Sequence, residues 1–261
     1  MKVGLIGRGF VGDALYKAFS NKGMEIRSFD KYKKIGKLSD VLNSDIIFLC
    51  LPTPFKEGSG FDKSSLNEIC KKLSSKKFKG LVVIKSTVEP GTCHYMAEEY
   101  GLSICHNPEF LTARTNYEDF ENQKHIVLGY TKEGELFNNL IILYKKMFKD
   151  AKISICKSFE SETMKIFCNS FYAVKVQFFN ELYLLCNNFG ANYETVTSLI
   201  INNGWVNPMH TKVPGPDGQL SYGGACFPKD TKALEKFMVD NNLDHAILSA
   251  AIKEREVYRN D

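Results

Sequence analysis

The chain has 261 residues, of which 44% are hydrophobic and 25% charged, a composition typical of a globular protein with one large or two modest domains. Its 34 basic and 30 acidic residues are interspersed, and the formal net charge is +4. This distribution favours solvated faces over a nucleic-acid surface, although a mildly positive field suits a phosphate-bearing substrate.

The eight cysteines contain no Cys-x-x-Cys pair, so we expect no zinc or other metal site. Several lie within apolar patterns and are interpreted as small core residues. The chain opens directly into a predicted strand instead of a secretory signal, and no apolar run reaches the ~20 residues needed to span a membrane. We therefore expect a reduced, cytoplasmic protein without a membrane partner.

A glycine-rich loop follows the first predicted strand, residues 2–6. Apolar residues at helical spacing come after the loop, and a second strand, residues 24–29, ends at Asp30. Strand, loop, helix, strand and acid in this order are the pattern of a dinucleotide-binding domain. The loop reads Gly7-Arg8-Gly9-Phe10-Val11-Gly12.

Each part of this pattern has a predicted role toward the cofactor. Gly7 permits a tight turn, Gly9 lets the backbone approach the pyrophosphate, and Gly12 allows close packing of helix on strand. The pyrophosphate is expected at the helix N-terminus, and Asp30 at the ribose hydroxyls. A carboxylate there would repel a 2′-phosphate, so we predict NAD over NADP. The nearby lysines leave that choice open: Lys31, Lys33 and Lys34.

The alternation of strands and helices continues through the first half of the chain. Further strands are predicted at residues 45–51, 81–85, 103–106 and 126–129. In a doubly wound parallel sheet the loops after the strands meet at one edge, so loops 52–55, 86–88 and 107–114 should surround the nicotinamide. Taken alone, each loop would be an ordinary turn. The predicted cofactor contacts from these segments are Leu51, Thr53, Pro54, Ser86 and Thr87.

From Ser158 the apolar spacing changes to steps of three and four, which predicts one helix ending at Gly190. Ser158 is the expected N-cap. A helix of ~30 residues spans ~45 Å, too long for a compact domain to cover, so we predict a homodimer through it. Burial within its own chain is the alternative. The predicted architecture is a Rossmann-like doubly wound α/β domain, residues 1–157, followed by a central helical domain, residues 158–261.

Two polar residues on this helix are candidates for chemistry. Lys165 and Asn169 are four positions apart and therefore neighbours on one face, beside the apolar stripe. A lysine there is unexpected unless it is paired or functional. The alternative is a lysine whose stem packs while its ammonium group reaches water.

A glycine- and proline-rich loop leads to a cysteine and then to a predicted helix. The segment is Gly223-Gly224-Ala225-Cys226-Phe227-Pro228-Lys229-Asp230. A thiol before a helix N-terminus and three residues from Lys229 lies in an electropositive setting that lowers its pKa. Such a thiolate can attack an aldehyde, and Asp230 could hold Lys229 or activate water. Considered alone, a buried inert cysteine would be the commoner interpretation.

The motifs described above, taken in their order along the sequence, resemble those of the UDP-glucose/GDP-mannose dehydrogenase family. The resemblance covers nearly the whole chain. The strongest stretches are residues 7–12, 53–54, 85–88, 107–111, 165–180 and 223–230. The resemblance implies that a sugar-nucleotide C6 alcohol is oxidised to a carboxylate in two NAD-dependent steps.

The resemblance also implies residue roles. Cys226 captures the aldehyde as a thiohemiacetal that becomes a thioester, and Lys165 stabilises the alkoxide or oxyanion. Asn169 positions the sugar, Asp230 handles water, and Glu109 takes part in thioester hydrolysis. Thr87 lies beside the reacting centre. Further substrate or cofactor contacts are expected from Phe110, Leu111, Tyr222, Gly223 and Lys229.

Three departures from the family pattern are evident. The sequence ends at Asp261, whereas the family continues into a second Rossmann-like domain, so we expect a short form lacking the C-terminal nucleotide-binding domain. Ala113 and Arg114 replace a glutamate and a glycine, which predicts weaker or reshaped NAD binding. Trp205 replaces a common arginine, and Trp205 or His210 could stack on a base or sugar, or simply pack.

The leading hypothesis is oxidation of UDP-glucose to UDP-glucuronate, a step of nucleotide sugar metabolism that supplies polysaccharide biosynthesis. GDP-mannose or a UDP-N-acetyl sugar is an alternative substrate. A second hypothesis is an inactive truncated paralogue that acts as a binding or dimerisation subunit. A third is a two-electron hydroxyacid or alcohol dehydrogenase, which would need no cysteine.

Overall fold

A computed structural model describes residues 1–112 and 114–260 of the chain. In chain order its strands are β1 (Val3–Ile6), β2 (Ile26–Phe29), β3 (Ile46–Leu49), β4 (Phe55–Lys56), β5 (Gly60–Phe61), β6 (Leu81–Ile84), β7 (Ser103–His106), β8 (His125–Tyr130) and β9 (Lys152–Lys157). Its helices are α1 (Phe10–Asn21), α2 (Leu38–Val41), α3 (Ser64–Ser75), α4 (Thr92–Tyr100), α5 (Asn116–Glu121), α6 (Glu135–Met147), α7 (Ser158–Phe189), α8 (Tyr193–Asn202), α9 (Phe227–Asp240) and α10 (Ala246–Tyr258).

The structure has two compact units, each considered by itself below. The first contains Met1–Pro54 and Asp62–Lys165, and the second contains Phe55–Phe61 and the chain from Ile166 onward. The division falls within α7. The domain boundary predicted after residue 157 stays a prediction.

A 7-stranded sheet in the order β2-β1-β3-β6-β7-β8-β9 forms the centre of the first unit. The strands from β2 through β7 pair in parallel, with β1 between β2 and β3. The expected doubly wound α/β fold is therefore confirmed. The pair β7–β8 is antiparallel, because the segment between them brings the chain back to the carboxyl end of β7 before β8 begins. β9 runs parallel to β8.

The inner strands β1, β3 and β6 are buried on both faces, which is why their sequences are continuous apolar runs instead of alternating ones. On one face Leu5, Phe48 and Val83 pack in the cluster that also holds Leu15 and Phe19 of α1. On the other face, the next residues along the strands pack against α3 and α4. These residues are Ile47, Leu49, Val82 and Ile84.

The predicted long helix is confirmed as α7, 32 residues from Ser158 to Phe189. Ser158, expected as the cap, is the first helical residue, because β9 leads directly into the helix. Gly190 follows the helix with a φ of 71°, the left-handed conformation that ends helices at glycine. Several large apolar side chains of α7 are exposed: Phe167, Phe171, Phe178, Leu185 and Phe189.

The second unit is mainly helical. The short hairpin of β4 and β5 belongs to it, and Phe61 packs with Ala233 and Leu234 of α9 and Leu248 of α10. A second apolar cluster joins Phe179 of α7 to Tyr193 of α8. Among the described residues, none of the helices combines the length and apolar character needed to cross a membrane. Within residues 1–112 and 114–260, no three His, Cys, Asp or Glu side chains form a metal-ligand cluster.

Candidate active site

A cleft of about 390 Å³ opens at the carboxyl ends of β1, β2, β3 and β6 in the first unit. Seven of the residues predicted to bind the cofactor line it: Gly7, Gly9, Phe10, Val11, Asp30, Leu51 and Ser86. The other predicted residues of this unit, all of which the structure describes, lie outside the lining: Arg8, Gly12, Thr53, Pro54 and Thr87. Lys229 belongs to the second unit.

The glycine loop has the geometry of a pyrophosphate cradle. Gly7 has a φ of 93°, and a Cβ added at Gly12 would stand 1.9 Å from the carbonyl oxygen of Gly7. A Cβ at Gly9, in contrast, would meet nothing within 4 Å. Gly9 is the residue before α1, so the open space lies at a helix N-terminus, where anions are favoured. These observations fit a bound dinucleotide.

Asp30 lies at the cleft as a preorganised carboxylate. Its Oδ2 accepts a hydrogen bond of 2.7 Å from the backbone N–H of Arg8, and its Oδ1 accepts bonds of 2.9 and 2.8 Å from those of Tyr32 and Lys33. Partial burial opposes ionisation, but the backbone donors of Lys33, Arg8 and Tyr32 outweigh it and lower the pKa of Asp30. The carboxylate is therefore ionised at neutral pH.

Two basic residues near the cleft are already engaged. The Arg8 side chain donates to Asp13 at 2.6 Å and to Ser28 at 3.0 Å. Lys33 Nζ pairs with Asp13 at 2.9 Å and also donates to the Arg8 carbonyl. Lys33 is thus engaged with Asp13 and Arg8, and Lys31 also lines the cleft. The prediction that Arg8 contacts the cofactor stays a prediction.

The loops after β3 and β6 are joined to each other. The Ser86 hydroxyl donates to the Leu51 carbonyl at 2.6 Å, and the Thr53 hydroxyl donates to the Thr87 carbonyl at 2.8 Å. Thr53 and Thr87 are both buried. The structure thus brings these four residues together at the edge of the sheet.

Lys85 also lines the cleft, although the residue-by-residue prediction assigned it no role. Its ammonium group donates to the carbonyl oxygen and to Oδ1 of Asn107, at 3.0 and 2.8 Å. Asn107 Nδ2 in turn donates to the Val127 carbonyl at 2.8 Å. Burial lowers the pKa of Lys85 to about 8. The signal that was missed is a lysine directly between a buried strand and a functional loop.

Lys165 and Glu109 meet in the first unit. Lys165 Nζ lies 3.4 Å from Glu109 Oε1, and Glu109 Oε2 accepts a bond of 2.6 Å from the Leu111 N–H. The Lys165 ammonium is also 5.2 Å from the ring centroid of Phe110. Lys165 is only 3% exposed. The structure therefore brings three other predicted site residues, Glu109, Phe110 and Leu111, together around the buried Lys165.

In the second unit Asp230 is the centre of another group. Asn169 Nδ2 donates to Asp230 Oδ2 at 2.6 Å, and Lys229 Nζ lies 2.5 Å from Asp230 Oδ1. Asp230 is fully buried, and the Lys229 ammonium stands 4.6 Å from the Phe61 ring centroid. Both carboxylate oxygens thus have a nitrogen partner.

Cys226 is the residue immediately before α9, with Pro228 and Asp230 in the first turn. It is exposed, whereas the chain's other cysteines are buried or half-buried, and none of the eight, all of which are described, forms a disulfide. Burial raises the pKa of Cys50 and of Cys70 to about 12, which keeps those thiols protonated. Cys226 therefore combines exposure with a helix N-terminus, the setting that favours a thiolate.

The remaining predicted residues lie as follows. Tyr222 is buried with the Arg255 guanidinium 5.6 Å from its ring centroid. His210 stacks on Tyr172 at 4.8 Å, whereas Trp205 is 90% exposed and so does not pack as a core residue. Arg114 is exposed, and Ala113 lies outside the described residues.

The first unit thus has the fold and the glycine cradle of an α/β dinucleotide-binding domain. Residues 34–148 match the NAD binding domain of the UDP-glucose/GDP-mannose dehydrogenase family, and residues 159–256 match its central domain. The chain belongs to this family, and NAD is the cofactor of its first domain.

Several proteins similar to this chain in sequence or structure are named as UDP-glucose or GDP-mannose dehydrogenases. The UDP-glucose 6-dehydrogenase of Rickettsia prowazekii is 33% identical over 228 residues, which cover 82% of this chain and 50% of that protein. The GDP-mannose 6-dehydrogenase of Pseudomonas aeruginosa is 25% identical, with 97% of this chain and 68% of that protein covered. A UDP-glucose dehydrogenase structure from Pyrobaculum islandicum superposes with a TM-score of 0.84 at 25% identity, over 98% of this chain and 68% of that one. The chain spans about half the length of the Rickettsia UDP-glucose 6-dehydrogenases that it matches.

Proposed function

We propose that the chain oxidises the C6 alcohol of a sugar nucleotide to the carboxylate in two NAD-dependent steps, with UDP-glucose as substrate and UDP-glucuronate as product. The observation that carries the proposal is Cys226, an exposed thiol at the N-terminus of α9 in a chain with the family's NAD-binding domain. The UDP-glucose dehydrogenases among its relatives support the choice of substrate.

NAD, when bound, accepts a hydride from C6 in each of the two steps. In the proposal, the Gly9 backbone and the N-terminus of α1 hold its pyrophosphate, and Asp30 accepts hydrogen bonds from its ribose. The loops joined by Ser86–Leu51 and Thr53–Thr87 bonds form the edge that receives the nicotinamide.

Lys165 is proposed to stabilise negative charge on the substrate oxygen. The buried ammonium is fixed by Glu109 at 3.4 Å, so it is oriented before the reaction begins. A preorganised cation in a dry environment stabilises an alkoxide or oxyanion more strongly than water does. Asn169, whose amide donates to Asp230, is proposed to position the sugar. Thr87 is proposed to act beside the reacting centre.

The first hydride transfer converts the C6 alcohol into an aldehyde, with one proton released. The Cys226 thiolate then adds to the aldehyde carbon and forms a C–S bond, giving a thiohemiacetal. The second hydride transfer leaves a thioester. Water attacks its carbonyl carbon and the C–S bond breaks, which regenerates the Cys226 thiolate and releases the product carboxylate. Overall, one alcohol, one water and two NAD give one carboxylate, two NADH and three protons.

Glu109 and Asp230 are proposed to manage water in the last step. Glu109 is proposed to orient the attacking water, because its carboxylate can accept a hydrogen bond from water while Lys165 lies 3.4 Å from its Oε1. Asp230 is enclosed by Asn169 and Lys229, so its proposed contribution is to orient those two groups toward water, substrate or NAD. Substrate contacts are assigned to Phe110, Leu111, Tyr222 and Gly223.

We further propose a homodimer built on the exposed apolar residues of α7, because exposed aromatic side chains on one helix are typical of an interface. Reduced thiols persist most readily in a reducing compartment, so the lack of a disulfide among the eight described cysteines supports a cytoplasmic location.

The test is NADH formation by the purified chain with UDP-glucose, GDP-mannose and UDP-N-acetyl sugars. We expect turnover with UDP-glucose, loss of carboxylate formation in Cys226→Ala, and normal turnover in Cys156→Ala, a half-buried cysteine of β9. Absence of NADH with every sugar nucleotide, or an unaffected Cys226→Ala variant, would overturn the proposal.

A further inference from the structure

Two buried arginines, Arg255 of α10 and Arg259 directly after this helix, bind the loop that precedes Cys226. Arg255 is 2% exposed and Arg259 is 5% exposed. Arg255 Nε donates to the Tyr222 carbonyl at 3.0 Å. Arg259 Nε donates to the Leu220 carbonyl at 2.7 Å, and its second terminal nitrogen donates to the Ser221 carbonyl at 3.2 Å. Three consecutive carbonyl groups of the loop are therefore held by two guanidinium groups.

Arg259 also pairs with Asp217 at the start of the same loop. Its two terminal nitrogens donate to the two carboxylate oxygens of Asp217 at 2.7 and 3.1 Å. This fork geometry is available to arginine and not to lysine. Arg259 side-chain pairing lowers the pKa of Asp217, so the pair remains charged at neutral pH. A single side chain thus closes the loop from residue 217 to residue 221.

The contact extends to the glycines next to the thiol. A Cβ added at Gly223 would stand 2.2 Å from an Arg259 terminal nitrogen, so the guanidinium lies directly against the Gly223 backbone. The loop also contains Ser221 in the left-handed region, with a φ of 63°. A non-glycine residue holds that conformation only when its surroundings fix it. Ser221 N–H donates to Asn180 Oδ1 at 2.9 Å, and its carbonyl accepts from Arg259.

We propose that Arg255 and Arg259 are positioning residues, which fix the backbone of residues 217–223 and thereby the placement of Tyr222, Gly223 and Cys226 for the sugar nucleotide. The effect on the substrate rests on the proposed function. The effect on the loop is independent of the proposed function, because it follows from the contacts of the two arginines with the loop. Neither arginine touches the reacting atoms in this proposal, so substitution should act mainly on substrate binding and thiol presentation.

The experiment uses the full chain with Arg259→Gln, Arg259→Lys and Arg255→Gln, and with Lys253→Gln as control. Lys253 is an exposed residue of the same helix. Amide hydrogen exchange of residues 215–224 and the rate of Cys226 alkylation by iodoacetamide report on the loop without any dehydrogenase activity. KM and kcat with UDP-glucose and NAD report on its role in the reaction.

Each arginine contact involves a charged donor, so losing one should raise the KM for UDP-glucose about tenfold or more, with a smaller fall in kcat. Exchange and alkylation should quicken several-fold in both glutamine variants. Arg259→Lys should behave as Arg259→Gln, because lysine lacks the fork. Lys253→Gln should match the parent chain in all four measurements.

Asp217→Asn serves as a milder variant if either arginine variant fails to fold, since Asp217 is at the surface end of the pair. Unchanged exchange and alkylation in the folded variants would overturn the proposal. If the parent chain produces no NADH, the proposed function fails, while the exchange and alkylation results still decide whether the arginines order the loop. Full rescue by Arg259→Lys would contradict the requirement for a guanidinium.

Discussion

At the scale of single residues, Lys165 is the buried cation on which the proposed chemistry most depends. Replacing it with methionine removes the charge that stabilises an alkoxide or oxyanion, and kcat should fall by roughly 10² to 10³. Steady-state kinetics with UDP-glucose measures this change. Because the substitution also leaves Glu109 without its cation, Glu109→Gln is made both alone and in combination with it, and the loss due to Lys165 is measured relative to the Glu109→Gln variant. A folded double variant with the kcat of Glu109→Gln would contradict the assigned role.

His106 makes a second prediction at this scale, concerning stability and pH. It is fully buried, with Nδ1 2.8 Å from the Ser161 hydroxyl, and burial lowers its pKa to about 3. An unfolded histidine has a pKa near 6.5, so below that pH the unfolded chain takes up a proton that the folded chain does not. Stability should therefore fall by up to about 1.4 kcal/mol per pH unit as pH drops from 6.5 toward 5.

Urea denaturation of the parent chain and of His106→Gln at several pH values tests whether His106 causes this loss of stability. The range from 6.5 to 5 is chosen because most carboxylates remain ionised there. In His106→Gln the free energy of unfolding should fall less steeply between pH 6.5 and 5 than it does in the parent chain, whatever the absolute stability of the variant. Equal slopes in the two chains would show that His106 is not the group responsible.

At the scale of elements, the strand, glycine loop and helix from β1 to α1 allow two alanine substitutions with opposite outcomes. Gly12→Ala places a methyl group 1.9 Å from the Gly7 carbonyl oxygen, so the chain should lose stability markedly. Gly9→Ala has open space and should keep its melting temperature, but its methyl group occupies the cleft and should weaken NAD binding by tenfold or more.

Thermal unfolding and NAD titration measured on both variants distinguish these effects. NAD binding by Gly9→Ala as tight as that of the parent chain would contradict a pyrophosphate position at Gly9.

Much of the element structure could be predicted from the sequence, because its signals are local. The buried strands appear as short apolar runs, α7 as a sustained helical period, and its end as Gly190. The reversal of β8 could not be predicted, since strand direction depends on where the connecting chain returns and not on the composition of the strand.

The candidate site was predictable to a similar extent. Gly7, Gly9 and Asp30 carry a local motif, and the structure places all three at the cleft. The contacts of Lys85 with Asn107 and of Arg259 with residues 217–221 join segments 22 and 38–42 positions apart. Such contacts depend on tertiary packing, so neither pattern nor spacing in the sequence indicates them. The assigned catalytic roles stay predictions.

At the scale of the whole molecule, the exposed aromatic residues of α7 predict self-association. Phe178 is 66% exposed, and a charged residue there would be costly to bury in an interface. Phe178→Lys should therefore convert a dimer into a monomer, as measured by size-exclusion chromatography with light scattering. Tyr95→Lys is the matched control, because Tyr95 is 60% exposed but lies on α4 of the first unit. A monomeric parent chain would contradict the homodimer.

The most direct test of the central claim is the ratio of NADH to UDP-glucose consumed, with UDP-glucose limiting and NAD in excess. A cysteine-linked four-electron oxidation predicts two NADH and one UDP-glucuronate per UDP-glucose, and no UDP-glucuronate from Cys226→Ala. A ratio of one, with the aldehyde or ketone as the final product, would show a two-electron dehydrogenase that does not use Cys226 as a nucleophile.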